Sequence, residues 1–414
     1  MRIHGYLPGI GLHARKITPH LAVSCSLAFV SSAAASMAAA PTSSSSSSLL
    51  ASGCPPLYSF GVPWPDLNEG LLYTDVVRSG GHETTLIEFY SSKYKNSAPL
   101  QGWLQRIRNG QITVDGEVVT DPTSVLRDGA EVIYHRLPWK EPSAPYLLEV
   151  LYEDDDMVAL NKPSGLQVLP RGLFQQRTVL MQLQWKELNK VAYDFSRSPK
   201  TKDAHPVPVH RLGRGTSGIL LCAKTKLAKT RLAAYFADGT AVAGEDRTEM
   251  ELSKARKISK YYRALVGGII ERDEIVIRQP IGTVHYPGVA KGLYVASSSG
   301  KPALSRVQVL ERDAQRNQTV VQVQIHSGRP HQIRIHLAFI GHPLLGDPLY
   351  DVGGQPKAFD SQSIGDCSTD DGGYQKPLQA VPGDCGYYLH AHQLFLYHPI
   401  NNEVATELCW EEAF

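Results

Sequence analysis

Six cysteines in 414 residues, at 25, 54, 222, 367, 385 and 409, form no Cys-x-x-Cys pair and no zinc-finger spacing. This argues against a disulfide-stapled secreted module and leaves a reducing compartment as the expectation. Only Cys367 and Cys385, which bracket one loop, are close enough in the chain to suggest a pair. Excess charge is missing too. The 42 basic and 40 acidic side chains leave a net charge of +2, so affinity for a polyanion has to come from local patches. No apolar run makes a convincing membrane span, because the most apolar stretch, residues 21–40, is broken by serines. Acidic residues are absent before Asp66.

That last absence gives the N-terminus its character. Arg2, Arg15, Lys16 and several histidines supply positive charge, and residues 43–48 are an unbroken serine run. A basic, serine-rich, acid-free segment has the composition of an organelle transit peptide. Residues 1–56 are therefore expected to be a disordered leader addressed to a plastid or mitochondrion. A secretory signal over 21–40 is the competing reading. Initiation at Met37 would leave a shorter leader and a cytoplasmic or nuclear protein.

The remaining length accommodates two or three domains with ordinary cores. Residues 82–136 read as a compact unit. Two short helices are expected over 84–94 and 100–108, the second stopped by Gly110, and a hairpin turns at Asp115-Gly116. Asp128-Gly129 marks another turn before Val132. The second helix is expected to bury Trp103, Leu104 and Ile107 and to leave Arg106 near the opposite side. Three prolines within 138–145 read as a linker. Residues 145–414 form the large domain, with polar insertions at about 238–257 and 353–385, the second expected to be a mobile loop.

Inside the large domain, the stretch His210-Arg-Leu-Gly-Arg-Gly-Thr-Ser-Gly218 places a cationic, hydroxyl-rich loop between two apolar runs. Arg211 and Arg214 on such a loop suit an anionic substrate, or they are solvated arginines on a plain strand connection. The other segments that stand out are Asn161-Lys-Pro-Ser-Gly165, Lys260-Tyr-Tyr-Arg-Ala-Leu-Val-Gly-Gly268 and Gly328-Arg-Pro-His-Gln-Ile-Arg-Ile-His336. In the last, Pro330 suits a first helical position and Ile333, Leu337 and Ile340 make a core stripe. Arg329 beside that helix N-terminus favours an anion. His331 and His336 are not at zinc-helix spacing, so no metal is expected.

Together these four segments, in this order, resemble the RluA-type RNA pseudouridine synthases. The loop is similar to that family's His-Arg-Leu-Asp-x-x-Thr-Ser-Gly signature, except that Gly213 stands where the family carries its catalytic aspartate. The resemblance implies an α+β fold, with a large, mixed, mainly antiparallel sheet flanked by helices. The 82–136 unit is similar to the alpha-L RNA-binding domain that often precedes this core; Lys93, Lys95, Arg106 and Arg108 would then meet phosphates.

The resemblance also implies an activity, the isomerisation of uridine to pseudouridine in an rRNA or tRNA. No cofactor is needed, because product and substrate are isomers. By position, Arg211 fills the place of the flipped base, Tyr262 stacks on the uracil and helps with its proton, and Arg334 pairs with the missing aspartate. Arg214, Lys162, Arg329 and His331 are placed around the substrate, although the turn carrying Lys162 reads first as a support for the loop. No carboxylate lies within 207–221; Asp203 and Asp238 are the nearest in the chain. Three outcomes are open: a carboxylate from elsewhere, an RNA-binding protein without catalysis, or an Arg334 neutralised by phosphate and water with another use for the site.

Overall fold

The structure, a computed structural model, describes residues 2–4, 57–78, 80, 82–95, 97–193, 205–241, 258–286, 289–358, 368–377, 383–401 and 407–409. The leader apart from Arg2–His4, the 196–202 segment, most of the 238–257 insertion, Asp203 and Cys367 lie outside the described residues.

The small unit forms as its sequence pattern requires. Strand β2 (Leu71–Val76; β1 is Tyr58–Phe60, below) precedes α1 (Leu86–Lys93) and α2 (Leu100–Arg108). Thr85 caps α1 in a reciprocal capping box with Glu88. Strands β3 (Ile112–Val114) and β4 (Glu117–Val118) turn through Asp115 and Gly116, both at positive φ, the requirement of a tight type I′ hairpin. Strand β5 (Glu131–Arg136) pairs with β2 and β3. Arg2–His4 adds antiparallel to β2, so this much of the leader is a strand and not disordered chain. Trp103, Ile107, Tyr90, Val132 and Tyr134 fill the core.

That core is closed by a hairpin from far downstream. Residues Ser368–Asp370 and Gln375–Pro377 pair, and Tyr374 between them joins the small-unit cluster. The expectation of a mobile loop across 353–385 is therefore corrected for this part. So is the outward placement of Arg106, which is 1% exposed. Its guanidinium lies 4.8 Å from the Trp103 ring, 4.9 Å from Tyr134 and 5.4 Å from Tyr374, and pairs with Asp371 at 3.4 Å. Arg106 sits about 100° around the helix from Ile107, where Trp103 and Tyr134 of the unit and Asp371 and Tyr374 of the incoming hairpin enclose it. A buried arginine cannot meet an RNA phosphate; Arg108 is exposed and can. Arg106→Ala is expected to destabilise the unit by about 3 kcal/mol, since Asp371 loses a buried partner. Arg108→Ala should stay within about 0.5 kcal/mol. Thermal unfolding of the two variants checks this.

The 138–145 segment is extended but not loose. Trp139 is fully buried beneath Arg136, and Glu141 accepts from the backbone amides of Gln175, Gln176 and Arg177.

The large domain contributes β6 (Leu148–Glu153), β7 (Met157–Lys162), α3 (Val179–Tyr193), β8 (Ser217–Ala223) and α4 (Lys226–Ala241). Then come β9 (Ile258–Gly267), β10 (Glu274–Ile277), the hairpin β11 (Ile281–Tyr286) and β12 (Val289–Ala296), β13 (Ser305–Asp313) and β14 (Gln318–Ile325). Helix α5 (Gln332–Phe339) and β15 (Leu389–Leu396) complete it. One sheet runs β10-β13-β14-β9-β15-β8-β7-β6-β1. Neighbours are antiparallel except β15 and β8 at its centre, which are parallel. The α+β, mainly antiparallel expectation holds. Val321, Val323 and Ile325 alternate with Gln322 and Gln324 and form the buried face of β14.

The parallel pair positions everything that follows. Parallel neighbours start at the same end of a sheet, so the segments entering β8 and β15, residues 210–216 and 383–388, are brought together.

Candidate active site

The signature loop is held from two sides. Beneath it, the Lys162 ammonium donates to the carbonyls of Pro163 and Leu166 at 2.8 Å and of Arg214 at 3.1 Å. Gly165 N–H donates to Arg214 O at 2.9 Å, and the Ser164 hydroxyl to Gly215 O at 2.8 Å. Lys162 is 0% exposed, and burial lowers its pKa to about 7. Its placement on the substrate is corrected: three carbonyls occupy its three protons, and it anchors the loop. Above, Gly215 N–H donates to Asp384 O at 3.2 Å.

At the foot of the loop His210 Nε2 accepts from Leu221 N–H at 3.0 Å and the ring stacks on Phe236. Burial, reinforced by the charge of Lys260, lowers its pKa to about 3, so this histidine is a neutral structural acceptor. Gly218 shows why the loop must end in glycine. At φ 104° its backbone passes so close to Ala391 that an added Cβ would lie 2.3 Å from Ala391 O. Ala391 is also the partner of Tyr262 on the other side, so Tyr262 lies two strands, about 10 Å, from Gly218.

The Tyr262 ring packs against two clusters, one containing Leu212 of the loop and one containing Tyr387, Ile333 and Leu337. Burial raises its phenol to about 12. It is a neutral ring near pH 7, suited to stacking and positioning and poorly suited to act as a base.

Arg334 comes from α5, whose residues Gln332–Ala338 are buried. The helix starts at Gln332 behind a left-handed His331, φ 56°, so Pro330 precedes it instead of opening it. Arg334 is 3% exposed and makes a bidentate pair with Asp347, Nε to Oδ2 at 2.8 Å and Nη2 to Oδ1 at 2.7 Å. Burial alone would raise the Asp347 carboxyl. The two Arg334 bonds, its charge and the amides of Leu349 and Tyr350 pull it below the usual range instead. Arg334 is therefore not left uncompensated by Gly213. Its guanidinium carbon lies 4.3 Å from the centre of the Tyr387 ring.

Tyr387 is the residue that joins the parts, and the sequence reading gave it no role. Its hydroxyl lies 3.2 Å from Thr216 Oγ1. A Cβ added to Gly213 would lie 2.9 Å from that same hydroxyl. The position of the missing side chain thus faces Tyr387, with Arg334 on the ring of that tyrosine and Tyr262 in the adjoining cluster.

The other expected residues are placed as follows. Arg211 and Gly213 are exposed on the loop. Arg214 pairs with Asp384, Nε to Oδ1 at 2.8 Å, and lies over the Phe174 ring. Arg329 is half-buried and its Nε donates to Pro302 O. His331 Nδ1 bonds to the Tyr350 hydroxyl at 2.8 Å, and burial with the Arg334 charge lowers it to about 4. His336 is bonded to Ser305 and to Gln279 O on its two nitrogens. Among the described residues no cluster of three or more histidine, cysteine or acidic side chains could hold a metal, and no helix is long and apolar enough to cross a membrane.

A mixed sheet whose central parallel pair presents a basic loop, with the partly buried Tyr262 and the Tyr387-stacked Arg334 beside it, fits the RNA pseudouridine synthase class. A family model described as RNA pseudouridylate synthase matches residues 156–339. The chain is 66% identical over 361 residues to RNA pseudouridine synthase 5 of Oryza sativa subsp. japonica, covering 86% of this chain and 91% of that one. It is 63% identical to RNA pseudouridine synthase 5 of Arabidopsis thaliana, covering 86% and 96%. Against ribosomal large subunit pseudouridine synthase D of Pseudomonas aeruginosa it is 33% identical, covering 61% and 68%. The chain belongs to the RluA-type RNA pseudouridine synthases.

Proposed function

We propose that this chain converts uridine to pseudouridine in a structured rRNA or tRNA. The observation that carries this reading is the convergence of the signature loop, Tyr262 and Arg334 around Tyr387. A uridine cannot react while stacked, so it is everted into the site, and the exposed Arg211 takes its place in the helix. Tyr262 holds the ring as a neutral phenol. The C1′–N1 bond breaks, the ring turns, C5 bonds to C1′, and a proton lost from C5 is balanced by one gained at N1. Nothing is oxidised or reduced, so no cofactor is required. Arg108 and Arg211 supply exposed positive charge for phosphates. The acid-free leader supports delivery to a plastid or mitochondrion.

Gly213 favours a second reading, an RNA-binding protein that no longer catalyses. Incubating the full chain with total cellular RNA and mapping pseudouridine at nucleotide resolution separates the two. New pseudouridine at discrete sites is the expected result. RNA retention without product would establish the second reading.

A further inference from the structure

We propose that Asp384, carried on the segment entering β15, supplies the reacting carboxylate that Gly213 cannot. The inference rests on the isomerase reading above.

The sheet sets the geometry. Because β8 and β15 run parallel, residues 383–388 lie against the signature loop. Gly215 makes the approach possible. A Cβ there would stand 2.6 Å from Asp384 O and 2.8 Å from Cys385 Cα, so any larger residue would lift the segment away. Arg214 then fixes the Asp384 side chain by Nε and Nη2, both to Oδ1. Oδ2 makes no hydrogen bond among the described residues, and the side chain is 49% exposed. One oxygen is oriented by a guanidinium, and the other is left without a hydrogen bond among the described residues on a half-exposed side chain. The carboxylate is within electrostatic reach of Tyr387, the residue that joins the parts of the site, and of His331 and the loop anchor Lys162.

The alternatives are weaker. Asp347 has both oxygens on Arg334, accepts two further amides, and is almost wholly buried. Burial raises the Cys385 thiol, which leaves it a poor nucleophile near neutrality.

The step balances. Asp384 Oδ2 bonds to C1′ while the C1′–N1 pair leaves with the uracil nitrogen. The ring, held by Tyr262, turns to present C5. The C5–C1′ bond forms as the C1′–O bond breaks and returns the carboxylate. That carboxylate takes the C5 proton and releases it to solvent, and N1 gains one from solvent.

The test is single-turnover pseudouridine formation with Asp384→Asn, Asp384→Glu, Gly215→Ala and Cys385→Ser, each read beside RNA affinity and thermal stability. Asp384→Asn is expected to slow product formation at least about 100-fold while RNA affinity changes less than about threefold. Asp384→Glu should recover part of the rate. Gly215→Ala should slow the reaction with the carboxylate still present. Wild-type product together with an Asp384→Asn rate within about threefold overturns the assignment and leaves the isomerase standing. So does a loss seen only in Cys385→Ser. A wild-type chain that makes no pseudouridine overturns the isomerase reading and this inference with it.

Discussion

Arg334→Ala is expected to unfold the large domain more readily by about 3–5 kcal/mol, because it strands the Asp347 carboxylate in the interior. For a domain of this size that lowers the melting temperature by on the order of 10 °C. The cause is specific. Asp347 keeps two backbone amides after the substitution, but loses both side-chain bonds and the charge that holds its carboxyl below the usual range. A double-mutant cycle isolates the pair. Arg334→Leu and Asp347→Leu should each be strongly destabilising, and the combination should cost clearly less than their sum, since a neutral apolar pair has no stranded charge. Additive losses would show that the two side chains do not act as a unit. Activity should fall in the variants that lack Arg334, because the Tyr387 ring loses the guanidinium stacked on it.

That pair also marks where sequence reasoning stopped. The strands at 157–162, 217–223, 258–267 and 318–325 were legible, because their alternation or continuous apolar runs follow directly from burial on a sheet. The four motifs pointed to Tyr262 and Arg334, and the fold brings both against Tyr387. The partners were not legible, because they come from chain positions that only tertiary topology brings near. Asp347 lies thirteen residues beyond Arg334, past the end of α5 at Phe339. A signal existed in the Gly346-Asp347-Pro348 turn, which folds the chain back onto its own helix. Asp384 and Tyr387 lie about 170 residues beyond the loop they touch. No periodicity encodes that the sheet's parallel pair would set these segments side by side.

The small unit failed in the same way and for the same reason. Amphipathic spacing assigned Arg106 to the outside of α2, yet Arg106 is buried on that helix together with Gly102, Trp103 and Ile107. What changed its environment was the hairpin at 368–377, in a stretch whose glycine, serine and aspartate content reads as loop. Asp371 and Tyr374 convert a surface arginine into a buried strut between the two units. Composition describes how a segment would behave alone in water; docking onto exposed aromatic faces is decided by its partner.

Gly213→Asp, made in the Asp384→Asn background, is expected to restore pseudouridine formation by at least about tenfold. The backbone permits it, since Gly213 is not among the residues at positive φ. The obstacle is local: the new Cβ would stand 2.9 Å from the Tyr387 hydroxyl and 3.3 Å from Thr216 Oγ1. Relieving that contact should cost about 1–3 kcal/mol of stability. Adding Tyr387→Phe removes the oxygen in the way and should recover most of that stability while keeping the ring on which Arg334 lies. If a carboxylate at 213 restores the reaction, then position along the chain is immaterial and only placement above Tyr387 matters. Two loops entering adjacent parallel strands lie side by side, and rescue would show that either can carry the acid. Failure of the 213 carboxylate to rescue, with the fold intact, would instead mean that the reacting group must approach from the β15 side, where Arg214 orients it.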